Sequence, residues 1–179
     1  MILTGEEIKK EVANGNIVIY PFNPELVNPN SYNYHLGNVI IEIVDEIIDP
    51  KKPSAYRIIQ LNDKGFVMKP NKLYLGSTVE CIGSDYYVTS LIGRSSIGRL
   101  GLFLQITADL GNIGAKHHWT LELKVVQPLK IYPGMRIGQV SFWKPAGKKS
   151  MRYMGKYRDH TEPHYSMLYE ELSKQEYAR

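Results

Sequence analysis

The sequence predicts a mainly β protein of one domain. Three observations carry that reading. Short β-rich runs recur from residue 17 to about 145, separated by clusters of Pro, Gly, Asn and Asp. A single capped helical pattern precedes them. Beyond Gly147 the composition turns basic, aromatic and polar, as expected of a terminal tail. The 179 residues suit one domain. A chain of this size buries about 70% of its unfolded surface, enough for a core without staples.

The elements follow in order. Residues 4–14 read as a short helix: Thr4 can cap it, Glu7 sits three residues on, and Ile8 and Val12 share a face. Asn14-Gly15-Asn16 ends it. Strands are expected at 17–20, 39–44, 57–61, 66–68, 73–80, 87–92, 102–107, 119–126 and 136–142. Pro21-Phe-Asn-Pro24, Asn28-Pro-Asn30 and Tyr132-Pro-Gly134 punctuate them as turns. So many short strands suggest an all-β barrel or sandwich. Residues 1–147 form the expected β domain with its leading helix. Residues 148–179 form a tail, with a terminal helix over 166–176, that can be a free end, a docked arm or a lid.

Composition excludes several classes. Apolar residues make up 43% and charged residues 22%, ordinary globular values that argue against disorder. No apolar run reaches 18 residues, and the N-terminus is acidic where a signal peptide is basic, so no membrane partner is expected and a cytoplasmic location is the default. The one cysteine, Cys81, excludes an internal disulfide framework and a multi-cysteine zinc site. The net charge of +4 fits either a solubilising surface or attraction of an anionic ligand. No zinc finger, RNP-type motif or long Lys/Arg block points to nucleic acid.

Three segments can carry chemistry. Gly93-Arg-Ser-Ser-Ile-Gly-Arg-Leu-Gly-Leu102 flanks two serines with two arginines among glycines. That grouping suits phosphate oxygens, or else is a glycine-rich surface turn. It lacks P-loop spacing. In the segment from Ala108 to Leu123, strand alternation puts Thr120, Glu122 and Lys124 on one face and Trp119, Leu121 and Leu123 on the other. Glu122 is then either a solvent-facing strand residue or, in an enclosed pocket, a proton shuttle with a raised pKa. His117 and His118 are adjacent and point to opposite faces, so they are not expected to share a metal; loop or surface roles are expected. In Tyr132-Pro-Gly-Met-Arg-Ile-Gly-Gln-Val-Ser-Phe142 a turn feeds a strand, and Gln139 can offer amide contacts to a base.

Together these segments resemble the dCTP deaminase branch of the dUTPase-like superfamily. Asn28-Pro-Asn-Ser-Tyr-Asn-Tyr-His-Leu-Gly37 resembles the family's N-P-x-S-x-D-L-R-L-G. The Gly93–Leu102 segment, the Thr120-Leu-Glu-Leu123 strand and Pro133-Gly-Met-Arg-Ile-Gly-Gln139 follow in the family's order. Gly155-Lys-Tyr157 and Ser166-Met-Leu-Tyr169 resemble its C-terminal lid. The resemblance implies a distorted β-barrel assembled as a homotrimer, with sites between subunits. It implies zinc-free hydrolytic deamination of a cytosine deoxynucleotide, dCTP or a close analogue, with magnesium on the triphosphate. Glu122 corresponds to the base that activates water for attack at C4. Ser95 and Arg99 correspond to residues holding the water and the glutamate, and Ala108 would offer its carbonyl to the water. Arg94 and Ser96 correspond to phosphate contacts, Gln139 to a strand glutamine of the motif, and Lys156 and Tyr157 to the lid.

The departures also matter. Gly111-Asn-Ile-Gly114 stands where the family has an aspartate-containing element, so Asn112 keeps hydrogen bonding but loses the charge. In members that also cleave dUTP to dUMP, that aspartate is tied to the second water. Deamination without phosphate cleavage is therefore the leading expectation. The alternatives are a dUTP pyrophosphatase, a bifunctional enzyme, or a non-catalytic nucleotide binder. Asn33 and His35 replace an aspartate and an arginine, Asp109 stands where His or Gly is usual, and His160-Thr-Glu-Pro163 replaces a Gln-Lys-Gly pattern.

Overall fold

The computed structural model describes residues 1–105, 107–148, 151–157 and 161–176. Helix α1 spans Gly5–Ala13, and the Glu7 N–H donates to the capping Thr4 Oγ1 at 3.4 Å. Twelve strands follow among the described residues: β1 Ile17–Tyr20, β2 Tyr32–His35, β3 Val39–Ile43, β4 Tyr56–Gln60, β5 Phe66–Met68, β6 Tyr74–Ser84, β7 Val88–Gly93, β8 Leu102–Leu104, β9 Leu110–Gly111, β10 Lys116–Val125, β11 Leu129–Ile131 and β12 Arg136–Trp143. A one-turn helix α2, Ser95–Gly98, separates β7 from β8, and α3 spans Leu168–Glu176. The mainly β class, the leading helix and the terminal helix agree with the sequence.

The strands form one large sheet ordered β4-β3-β6-β10-β8 with β1 also on β6, a second ordered β2-β12-β7-β9, and a β11-β5 pair. Among the described residues these sheets do not close into a continuous hydrogen-bonded cylinder, so the expected β-barrel is a distorted, open one. Four corrections are local. β2, β9 and β11 join without being expected, because each is short and made by its partner strand. The run expected at 102–107 is strand only at Leu102–Leu104. The strand expected from 119 begins at Lys116, so His117 and His118 lie in β10 and not in a loop. The segment after Arg94 is a helical turn.

The core lies between the sheets. Tyr32, Tyr34, Leu36, Ile40, Ile82, Leu91, Leu121, Leu123, Val140 and Phe142 are all fully buried. Each such side chain contributes about 1.5–3 kcal/mol by leaving water. β6 and β10 are the spine. Their register runs from Lys116↔Gly83 to Leu123↔Tyr74 but slips once, so Thr78, Val79 and Glu80 face Trp119 alone. Thr78 closes this bulge: its Oγ1 donates to the Glu80 carbonyl at 2.7 Å and accepts the Trp119 N–H at 2.9 Å.

The bulge turns the Glu80 carboxylate inward, where it is buried. His35 on β2 satisfies it twice. The His35 N–H donates to Oε2 at 2.9 Å and Nδ1 lies 2.6 Å from Oε1. A buried acidic group that loses such a partner costs far more than the pair contributes. His35→Ala is therefore expected to lower stability by about 2–3 kcal/mol, while His35→Arg, which supplies donors again, loses less. Urea unfolding of the two variants measures the difference.

Candidate functional site

A cavity of about 640 Å³ opens beside the outward face of β10. That volume is within the range of small-molecule sites. Beyond the bulge the strand alternates strictly: Leu121, Leu123 and Val125 are buried, while Glu122 and Lys124 face out. Glu122 thereby reaches the cavity, and Trp119 and Thr120 line it above. Trp119 thus joins the Glu122 side, contrary to strict alternation, because the bulge lies opposite it. Its indole N–H donates to the Ile82 carbonyl at 3.0 Å. Gly111 closes one wall; a Cβ there would come within 2.0 Å of Thr89 Oγ1 and 2.5 Å of the Trp119 ring, so only glycine fits.

Surrounding protein raises the Glu122 carboxyl above its ordinary value through desolvation. Opposite it the chain leaves β8 at Gln105, a buried residue with φ 50° that also lines the cavity. Its amide spans the site. Gln105 Oε1 accepts the Glu122 N–H at 3.0 Å, and Nε2 donates to the Ala108 carbonyl at 3.4 Å. Ala108, Asn112 and Tyr157 line the same cavity. Sequence reasoning missed Gln105, since nothing in its β-rich surroundings marks a left-handed residue. His117, expected on a loop or the surface, is instead buried, lines the cavity and has its ring 4.3 Å from that of Trp119.

The tail folds back over this cavity within the same chain. The Tyr153 N–H donates to the Ile113 carbonyl at 2.8 Å, and the His164 N–H to Thr120 Oγ1 at 3.3 Å. Tyr165 packs on Tyr56 with ring centroids 5.2 Å apart. The Tyr157 hydroxyl accepts the Met167 N–H at 2.9 Å. Lys156 lies outside the cavity lining. Its ammonium donates to Glu171 Oε1 at 2.6 Å and to the Met167 carbonyl at 2.9 Å, and the Glu171 contact raises its pKa. His160 falls outside the described residues.

The remaining expected residues lie elsewhere on the chain. Ser95, Ser96 and Arg99 are exposed on and beside α2, and Arg94 Nη1 donates to the Arg136 carbonyl at 3.1 Å. None of the four lines the cavity. Gln139 uses both ends of its amide internally. Nε2 donates to the Gly93 carbonyl at 3.2 Å, and Oε1 accepts the Ser31 hydroxyl at 2.7 Å. Asp109 Oδ2 accepts from Ser90 at 2.9 Å. Among the described residues no cluster of three or more His, Cys, Asp and Glu is arranged to hold a metal ion. Nor is any helix among them long and apolar enough to cross a membrane.

Fold and site together describe a β-sheet protein with a partly desolvated carboxylate lining a pocket beside its own tail. Comparison with known proteins narrows this. A family model described as dCTP deaminase-like matches residues 2–145, and the chain belongs to that family. It is 41% identical over 174 residues to a "dCTP deaminase, dUMP-forming" of Clostridium beijerinckii, covering 97% of this chain and 100% of that one. To the protein of the same name from Clostridium acetobutylicum it is 42% identical over 172 residues, covering 96% and 99%. The fold matches a crystal structure of 2'-deoxycytidine 5'-triphosphate deaminase from Agrobacterium tumefaciens with a TM-score of 0.63 at 20% identity. That match covers 79% of this chain, which spans 46% of the Agrobacterium chain.

The Glu122 environment gives a direct test. Its carboxyl is expected to titrate above the ordinary 4.5 in a carbon-13 NMR titration of the free protein. A midpoint at or below that value would show the site to be open to water.

Proposed function

We propose that the protein hydrolytically deaminates dCTP, with Glu122 as the general base. The observation that carries this reading is one juxtaposition. A carboxylate held above its ordinary pKa and a loop carbonyl, Ala108, line one cavity and are joined through one amide. A base of raised pKa is better matched to proton transfer near neutral pH. The Ala108 carbonyl accepts a hydrogen bond from the attacking water, and Glu122 takes a proton from it. The resulting hydroxide adds to C4 of cytosine. Glu122 passes that proton to ring N3, then carries the proton of the new C4 hydroxyl to the amino group; the C4–N bond breaks, ammonia leaves and the C4=O of the uracil nucleotide forms. Removing such a base costs about 10²–10⁴-fold.

Phosphate recognition falls to Arg94 and Ser96, and support of the water and Glu122 to Ser95 and Arg99. These four lie outside the cavity of their own chain, and they are exposed or half-exposed. That placement supports a homotrimer in which a neighbouring subunit presents α2 to the Glu122 cavity. Magnesium would ride on the triphosphate. Asn112 faces the sugar, and Lys156 and Tyr157 belong to the tail that closes the site. Gln139, with both amide ends engaged internally, braces the β7–β12 contact beneath Arg94.

The relatives' names favour dUMP as the final product. Asn112 favours a second reading, in which dUTP is released uncleaved, because an amide cannot act as a carboxylate toward a second water.

Four outcomes are expected. Incubated with magnesium and dCTP, the protein releases ammonia and a uracil nucleotide, and a zinc chelator has no effect. Glu122→Gln lowers kcat about 10³-fold, and in the unsubstituted protein kcat falls on the acid side through a pKa above the ordinary carboxylate range; full activity of the variant would end the assignment. Pyrophosphate read beside ammonia separates the two readings: a one-to-one ratio supports dUMP formation, and a lower ratio that rises in Asn112→Asp supports release of dUTP. Finally, co-expressing Glu122→Gln with Arg94→Ala restores activity at about a quarter of the sites of a randomly mixed trimer with shared sites, and none if each chain works alone.

A further inference from the structure

We propose that Gln105 is a positioning residue that fixes the water-binding carbonyl of Ala108 against the strand bearing Glu122. The inference rests on the deaminase reading and adds a residue to it. Gln105 combines features that rarely coincide. It is buried, yet it keeps a polar amide. Its backbone sits at φ 50°, a region that non-glycine residues seldom adopt without compensation. Both ends of the amide are spent on the reacting groups' own backbone: Oε1 on the Glu122 N–H at 3.0 Å and Nε2 on the Ala108 carbonyl at 3.4 Å. The side chain lines the cavity itself.

The physical logic is one of distance control. Glu122 stands on a strand fixed by its pairing with β6, whereas Ala108 stands on the loop after β8. A strand residue and a loop residue keep no fixed separation unless something ties them. Gln105 is that tie, and its left-handed backbone turns the amide back across the gap. The Ala108 carbonyl can accept a second hydrogen bond, so holding Nε2 leaves a lone pair for the water. A misplacement of about 1 Å between base and water is enough to cost about 10²-fold in rate.

The test uses two variants of the full chain. Gln105→Gly keeps the left-handed backbone without strain and deletes the amide. Gln105→Glu keeps the shape and the acceptor for the Glu122 N–H but turns the donor to Ala108 into an acceptor. Both are expected to lower kcat for dCTP by about 10²-fold while KM stays within about threefold. In Gln105→Gly the Glu122 amide also loses its hydrogen-exchange protection, and the thermal midpoint holds. A kcat within about threefold of the unsubstituted enzyme in either variant overturns the proposal and leaves the deaminase reading intact. A loss of kcat that comes with a lowered thermal midpoint in both variants, the Glu122 amide still protected, assigns Gln105 a merely structural role and also overturns it. Absence of dCTP turnover by the unsubstituted protein overturns the deaminase reading, and this proposal with it.

Discussion

The pairing of β10 with β6 is the constraint on which the rest depends. Side chains alternate along a strand with a period of two, so a slip of one residue exchanges core for surface. In β10 such a slip would drive Glu122 into the core and expose Leu121 and Leu123. The register is held on both sides, by β6 and by β8, where Leu123 faces Leu104 and Val125 faces Leu102. The bulge of Thr78, Val79 and Glu80 opposite Trp119 lets the strand change local twist without losing that parity. Its cost is an inward-facing carboxylate at Glu80, and His35 is the residue that offsets it. A substitution at His35, which does not line the cavity, is thereby coupled to the strand that carries Glu122.

The parts of the fold that were legible in the sequence are those that local chemistry determines. Thr4 caps α1, and the apolar, β-branched runs of β1, β3, β6 and β12 read as strands because their own residues favour that state. The parts that were not legible are made by partners. β9 is two residues long and exists because Leu110 and Gly111 pair with Ser90 and Thr89. β2 reads as a polar turn-like segment, yet Tyr32 and Tyr34 are fully buried between β12 and the core. The order of the strands within each sheet is likewise a property of long-range pairing. No window of sequence contains it.

The site divides along the same line. Glu122 was identifiable because a resemblance singled it out, while alternation alone left it an ordinary outward-facing acid. Its raised pKa comes from surroundings contributed by distant residues, so the strand sequence does not contain it. Arg94, Ser95, Ser96 and Arg99 form a compact, recognisable sequence cluster, yet in one chain they stand apart from the cavity. Gln105 shows the reverse. It is invisible as a motif but central in space, since its two contacts reach three and seventeen residues along the chain.

Asn112 changes the electrostatics of the cavity as well as its hydrogen bonding. Two carboxylates sharing a pocket hinder each other's ionisation, so each titrates in the field of the other. With an amide at 112, that mutual effect does not arise between the two cavity-lining positions, and desolvation is the cause that raises the glutamate. On the deaminase reading, the proton affinity of the proposed base then follows how far its neighbours exclude water. The contacts of His164 on Thr120 and Tyr165 on Tyr56 hold the tail beside that cavity. On the deaminase reading, a tail held there acts on the proposed base through its solvent as well as on the substrate.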